Sequence, residues 1–150
     1  MGPTHRLDVK DLDIVPVDAQ TCRTLVQQSG AHLRSALMLR EVDAEGAFQL
    51  AYDGCRKVAL AVVSAVGTRP RGAAHHAVTF DAAAAVVVRD GGARAAALKR
   101  ALDDATDLRR VRGAAEYRGE SVAAADVTDA IDILTELLDG LPGLVESRLT

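Results

Sequence analysis

From Asp18 to Leu39, apolar side chains recur at Cys22, Leu25, Val26, Leu33, Ala36 and Leu37, with Ser29 in step, while Arg23, Gln27, Gln28 and Arg34 fall opposite. This spacing predicts an amphipathic helix over 18–39 with Asp18 as its N-cap. After Glu41, Val42 and Asp43, a second segment carries Phe48, Ala51, Tyr52, Cys55, Ala59, Val62 and Val66. Its later half is apolar nearly all round, which predicts the most buried helix. Breaker residues at 67–72 end it. An alanine-rich third helix follows over 75–88, then a turn at 89–92. A fourth helix from Ala93 places Leu98, Leu102, Ala105, Leu108, Val111 and Ala115 on one face, up to an interruption at 119–121. The strongest stripe joins Val127, Ala130, Ile131, Leu134, Leu137, Leu138 and Leu141, with Gly140 and Pro142 as its stop. Residues 1–17 read as an irregular arm that docks Leu12, Ile14 and Val15, and 143–150 as a tail. Short connections between the helices predict an all-α fold over 18–142, an antiparallel four- to five-helix up-and-down bundle.

Composition agrees with that fold class. Of the 150 residues 49% are hydrophobic but only 3% aromatic, so the core is built from alanine and branched aliphatics that suit close helix packing. A net charge of −3 excludes a global basic field of the kind that marks histone-like nucleic-acid binders, while leaving room for a local basic patch. The two cysteines, Cys22 and Cys55, are not spaced as a CxxC pair, so they form neither a disulfide framework nor a zinc signature, and a reduced cytoplasm is expected. The apolar run at 58–66 is about half the ~18–20 residues that a membrane span needs, so no membrane segment is expected.

Several chemistries fall away on spacing. Gly91-Gly92 lacks the Lys-Ser/Thr of a phosphate-binding P-loop, and no GxGxxG follows a strand. Adjacent His75 and His76 diverge by about 100° on a helix and make a poor metal pair, so no metal site is expected. The unusual stretch is 108–118, LRRVRGAAEYR, with Arg109, Arg110, Arg112 and Arg118 beside Glu116 and Tyr117. Arg112, four residues after Leu108 and three before Ala115, lies at the edge of the buried stripe, where a guanidinium needs a partner. Glu116 is one turn away, and Asp53 on the second helix is within reach if those helices touch. Two readings stand side by side: an arginine–carboxylate network that fixes the helices in register, or an anion site in which arginine forks grip phosphate oxygens.

The strings AYDGCRKVALAVVSAVGTRPRGAAHHAV, LRRVRGAAEYRG and VTDAIDILTELL, in that order, resemble the HEPN (higher-eukaryote and prokaryote nucleotide-binding) domain family in its compact actinobacterial form, over about residues 18–142. The resemblance implies a five-helix bundle, a homodimer, no cofactor, and a role in prokaryotic toxin–antitoxin or defence modules beside an antitoxin or a nucleotidyltransferase. Many such proteins are metal-independent endoribonucleases whose signature is an Arg, a polar residue, and a His four to six positions after the Arg. Carried over, Arg112 matches the Arg, Gly113 stands at the polar position, and Glu116 and Tyr117 stand where the His belongs. The resemblance thereby names Arg112, Glu116 and Tyr117 as catalytic candidates and Arg109, Arg110 and Arg112 as RNA-phosphate ligands in a dimer cleft, with Asp53 in support. The departure bears on mechanism, because cleavage through a 2′-OH needs a group that moves protons near neutrality, which imidazole supplies and an ordinary carboxylate does not. An RNA-acting toxin and a non-catalytic partner protein are the two functions it implies.

Overall fold

A computed structural model describes residues 11–71 and 75–150, with side chains for all of these except 75, 76, 116 and 117. The architecture is an all-α bundle of five helices, with one small two-stranded ribbon among the described residues. In chain order the elements are β1 (Leu12–Ile14), α1 (Ala19–Leu39), α2 (Ala44–Ala65), β2 (Thr68–Pro70), α3 (His75–Asp90), α4 (Ala95–Tyr117) and α5 (Ala124–Leu149).

Local chemistry sets most helix ends. The Asp18 carboxylate accepts from the backbone N–H groups of Gln20 and Thr21 at 3.0 and 3.3 Å, and Asp43 accepts from that of Gly46 at 2.9 Å. Each satisfies donors that a helix start leaves open. Gly67, at φ 77°, turns the chain out of α2 into β2. There the expectation of an irregular arm fails, because β1 pairs antiparallel with β2, Leu12 opposite Pro70 and Ile14 opposite Thr68. A two-stranded ribbon has only edges, where Pro70 costs no ladder bond. Leu12 is buried at 6% exposure and the half-buried Val15 donates its N–H to the Gly67 carbonyl at 2.9 Å, but Ile14 stands 86% exposed, so the arm docks through Leu12 and Val15 and not through Ile14. Residues 1–10 of that arm lie outside the described residues.

The predicted stop at Gly140 and Pro142, and the tail after it, are also overturned, because α5 runs through Pro142 to Leu149. Proline inside a helix costs about 3 kcal/mol. Beyond it Leu144 and Val145 are buried, and Glu146 holds Arg23 of α1 in a two-pronged pair at 2.8 and 3.0 Å, which offsets that cost. Gly140 serves close packing instead of termination, since a Cβ there would come within 2.8 Å of Leu98 in α4.

α2 and α5 supply most of the buried apolar side chains, with α1 and α5 as the main neighbours of α2. The tightest junction is at Gly54. The buried Ser29 hydroxyl of α1 donates to the Gly54 carbonyl at 2.7 Å, and a Cβ on Gly54 would lie 2.7 Å from Leu134 Cδ2 of α5. Cys22 and Cys55 are buried core thiols, and burial pushes both above the ordinary thiol range. Among the described residues no helix is long and apolar enough to cross a membrane.

Leu134→Ala should cost about 2–5 kcal/mol. Gly54→Ala should also lower the thermal midpoint, because overpacking at about 1–3 kcal/mol exceeds the gain of about 1 kcal/mol in helix propensity. The double variant should cost less than the sum, since the shortened side chain leaves room for the added methyl. Strict additivity in calorimetry would show that residues 54 and 134 do not share this space.

Candidate functional site

α2 is buried except along one stripe, where Gln49, Asp53, Arg56, Lys57 and Leu60 remain partly open. Asp53 organises its middle. Arg56 donates to Asp53 Oδ1 through Nε at 3.0 Å and Nη2 at 2.8 Å, and Lys57 Nζ lies 3.4 Å from Oδ2. His32 of α1 closes the group, its Nε2 2.9 Å from Lys57 Nζ and 3.2 Å from Asp53 Oδ2. One ring nitrogen cannot accept from the ammonium and donate to the carboxylate at once. A ring with its proton on Nδ1 accepts from Lys57 at Nε2, and a ring with its proton on Nε2 donates to Asp53. Burial raises the Asp53 pKa, but the hydrogen bond and charge of Arg56, then the charge of Lys57, outweigh it and hold the carboxyl below its ordinary value. The expected reach of Asp53 towards the arginines of α4 is therefore replaced by pairing with its own helix. Partners three and four residues away need no tertiary contact to meet.

One turn from this network, the Arg112 guanidinium of α4 sits over the Tyr52 ring, 5.5 Å from its centroid, and Tyr52 in turn meets Phe80 of α3 edge-on at 6.0 Å. Tyr52 is only 1% exposed. Burial pushes its phenol up to about 12, against the opposing pull of Arg112, Arg109 and Arg56, so it stays protonated at neutral pH. Gln49, Leu50, Tyr52, Asp53 and Arg112 line a pocket of about 260 Å³ that opens to solvent. Gln49 Nε2 is buried and has no hydrogen-bond partner among the described residues. A guanidinium fork and an amide donor beside one carboxylate suit a ligand rich in acceptor oxygens, such as a phosphate ester that also carries a hydroxyl.

The three arginines proposed as phosphate ligands do not form one patch. Arg109 lies on the Tyr52 side, where its charge also acts on Asp81 of α3, a carboxyl that burial and Asp103 raise and Arg109 pulls back. Arg110 lies in a groove of about 520 Å³ between α4 and α5, lined also by Asp104, Asp107, Asp126, Asp129 and Asp132. The reason is rotation of about 100° per residue, which carries Arg110 away from Arg109 while Arg112 returns to within about 60° of it. Glu116 and Tyr117 end α4, but their side chains, like those of His75 and His76, are outside the described set, and so are the roles given to them. No cluster of three potential metal ligands occurs among the described residues.

Sequence reasoning missed Gln49, Tyr52 and Arg56. The Asp53, Arg56, Lys57 spacing was a readable signal of a helix-borne ion-pair network, whereas nothing local marks Tyr52 as the floor beneath an arginine from another helix. No family model matches this chain, and comparisons with curated proteins and with solved structures returned no match.

Asp53→Asn should destabilise the fold at neutral pH by about 1–2 kcal/mol, between the values for exposed and buried pairs. Because the folded-state pKa is depressed, the stabilisation is present above the unfolded value of about 3.9 and is lost as pH falls through the folded one. The gap in thermal midpoint between wild type and Asp53→Asn should thus be open at pH 7 and narrow below about pH 4. A gap independent of pH would show that Asp53 acts through shape and not through charge.

Proposed function

We propose that this chain is a HEPN-like RNA-binding component of a prokaryotic toxin–antitoxin or defence module, one that grips a backbone phosphate at Arg112 and works without a catalytic acid–base pair. The observation that carries this reading is the seating of the Arg112 guanidinium over Tyr52 in the wall of an open pocket. Stacking on the ring orients the guanidinium, whose planar fork matches the geometry of phosphate oxygens. Gln49, which lines the same pocket, adds an amide donor, and Asp53 can accept from a ribose hydroxyl.

The non-catalytic character rests on the same pocket. Transfer of a 2′-OH proton at neutral pH needs a group whose pKa is near 7. Of the described titratable groups that line the pocket, Tyr52 is held up at about 12 and Asp53 is held low by its cations, so neither of these is poised for that transfer. The resemblance to HEPN proteins points the same way, because the histidine of their signature is replaced at 116–117.

Pairing of two copies belongs to this reading. What supports it is the apolar exposure at the end of α1 and in the turn after it, where Met38 and Val42 stand 80% and 83% exposed. The cognate partner would then be an antitoxin or a nucleotidyltransferase, as the resemblance implies.

Arg112→Ala should weaken binding of a single-stranded oligoribonucleotide about 10–100-fold in fluorescence anisotropy, as loss of a charged hydrogen-bonded contact predicts. Arg110→Ala, in the acidic groove, should change it little. Equal affinity of wild type and Arg112→Ala would overturn the site, and rapid cleavage of the oligonucleotide by purified protein would overturn the non-catalytic assignment. A light-scattering mass of one chain at micromolar concentration would remove the dimer.

A further inference from the structure

The open stripe of α2 does not end at the Arg112 pocket. One turn beyond Asp53, Arg56 forms the wall of a second pocket of about 390 Å³, completed by Leu60, by Arg69 and Arg71 of the ribbon, by Asp13 opposite them and by Thr79 of α3. Three guanidiniums line this pocket among the described residues, Arg56 paired with Asp53 and Arg69 and Arg71 with Asp13. Arg69 and Arg71 flank Pro70, and both turn towards Asp13, at 3.4 and 3.2 Å from its two oxygens. They remain 67% and 47% exposed. The Asp53–Arg56 pair is the partition between the two pockets, since Asp53 lines the first and Arg56 the second.

Gln49, Asp53, Arg56 and Leu60 follow one another at intervals of four, three and four residues, so both pockets open along one face of α2. From Gln49 to Leu60 the helix rises about 16 Å. That is the reach of a short oligonucleotide, not of one phosphate. The strip is concave at both ends and ridged in the middle. A duplex offers its phosphates on a convex cylinder and cannot seat in successive pockets, whereas a single strand can turn them inward.

We infer that single-stranded RNA lies along α2, with one phosphate at Arg112 and a later one at Arg69 and Arg71. The inference rests on the Arg112 reading and adds a second anchoring site, the polarity of charge along the helix, and a minimum ligand length. It also gives the ribbon a role, because β2 brings two arginines to the end of α2 on a strand too short to contribute much core. Asp13 balances these arginines when no RNA is bound and competes with the phosphate when it is.

The test compares a dinucleotide with a hexanucleotide of single-stranded RNA, and inorganic phosphate as the anion alone, on full-length protein. The hexanucleotide should bind more tightly than the dinucleotide. The Arg69→Ala/Arg71→Ala variant should weaken the hexanucleotide about tenfold and the dinucleotide less, and should flatten the plot of log affinity against log salt by about 1.4 for two lost single-strand contacts. Asp13→Asn, which removes the competing carboxylate, should tighten the hexanucleotide, and this gain cannot come from misfolding. Inorganic phosphate alone should bind far more weakly than either oligonucleotide. If Arg112→Ala weakens the hexanucleotide while Arg69→Ala/Arg71→Ala leaves its affinity and salt slope unchanged, the extended path is wrong and the Arg112 site stands. Equal losses for dinucleotide and hexanucleotide would likewise overturn a continuous path. If wild type binds neither oligonucleotide, the Arg112 reading falls and the path with it.

Discussion

Gly54 is the point from which the arrangement of this bundle follows. There α1 contributes a buried hydroxyl to the α2 backbone and α5 presses a leucine against the bare Cα, so three helices meet where a side chain would hold them apart. Such a contact sets the rotation of α2 about its own axis as well as its distance from its neighbours. Once the Gly54 side faces α1 and α5 and the Tyr52 side faces Phe80 of α3, the strip through Gln49, Asp53, Arg56, Lys57 and Leu60 is left towards solvent. The candidate site is in this sense a consequence of core packing, because the polar strip is what close packing leaves uncovered.

Charge is then sorted by helix rotation. The chain as a whole is slightly acidic, yet α4 turns Arg109 and Arg112 towards Tyr52 and turns Arg110 towards five aspartates in the groove with α5. A polyanion approaching the molecule meets repulsion on the α4–α5 side and attraction along α2. Such a polyanion would thereby be oriented before any contact forms. The Asp53 network keeps the strip from being uniformly positive, which favours a ligand with hydroxyl donors as well as phosphate oxygens.

Much of the fold was legible because its determinants are local. Asp18 as a cap, the apolar circumference of 58–66 and the stripe from Val127 to Leu141 depend on residues within a few turns of one another. The errors came from determinants that are not local. Strands of three residues carry no measurable alternation, so the ribbon could not be seen, and the continuation of α5 past Pro142 depends on the burial of Leu144 and Val145 against the core, with the Glu146–Arg23 pair beside them. Gly140 looked like a helix stop because the close approach of Leu98 is invisible in one dimension. The candidate site was half legible: Arg112 at the stripe edge follows from spacing, and so does the divergence of Arg110, which a helical projection of 108–118 already contains. The pairing of Asp53 with Arg56 and Lys57 was also written in their i,i+3 and i,i+4 spacing, whereas the Tyr52 floor beneath Arg112 needed the tertiary structure.

On the proposed reading, a phosphate is held between Gln49 and Arg112 on the open face of α2. Side-chain amide and guanidinium resonances report on it directly. On titration of labelled protein with a short single-stranded oligoribonucleotide, the Gln49 Nε2–H signals and the Arg112 Nε–H signal should move together and saturate with one affinity, as both donors acquire phosphate oxygens, while signals from Arg110 and the α4–α5 groove stay in place. Saturable shifts confined to that acidic groove, with Gln49 and Arg112 unmoved, would contradict the account.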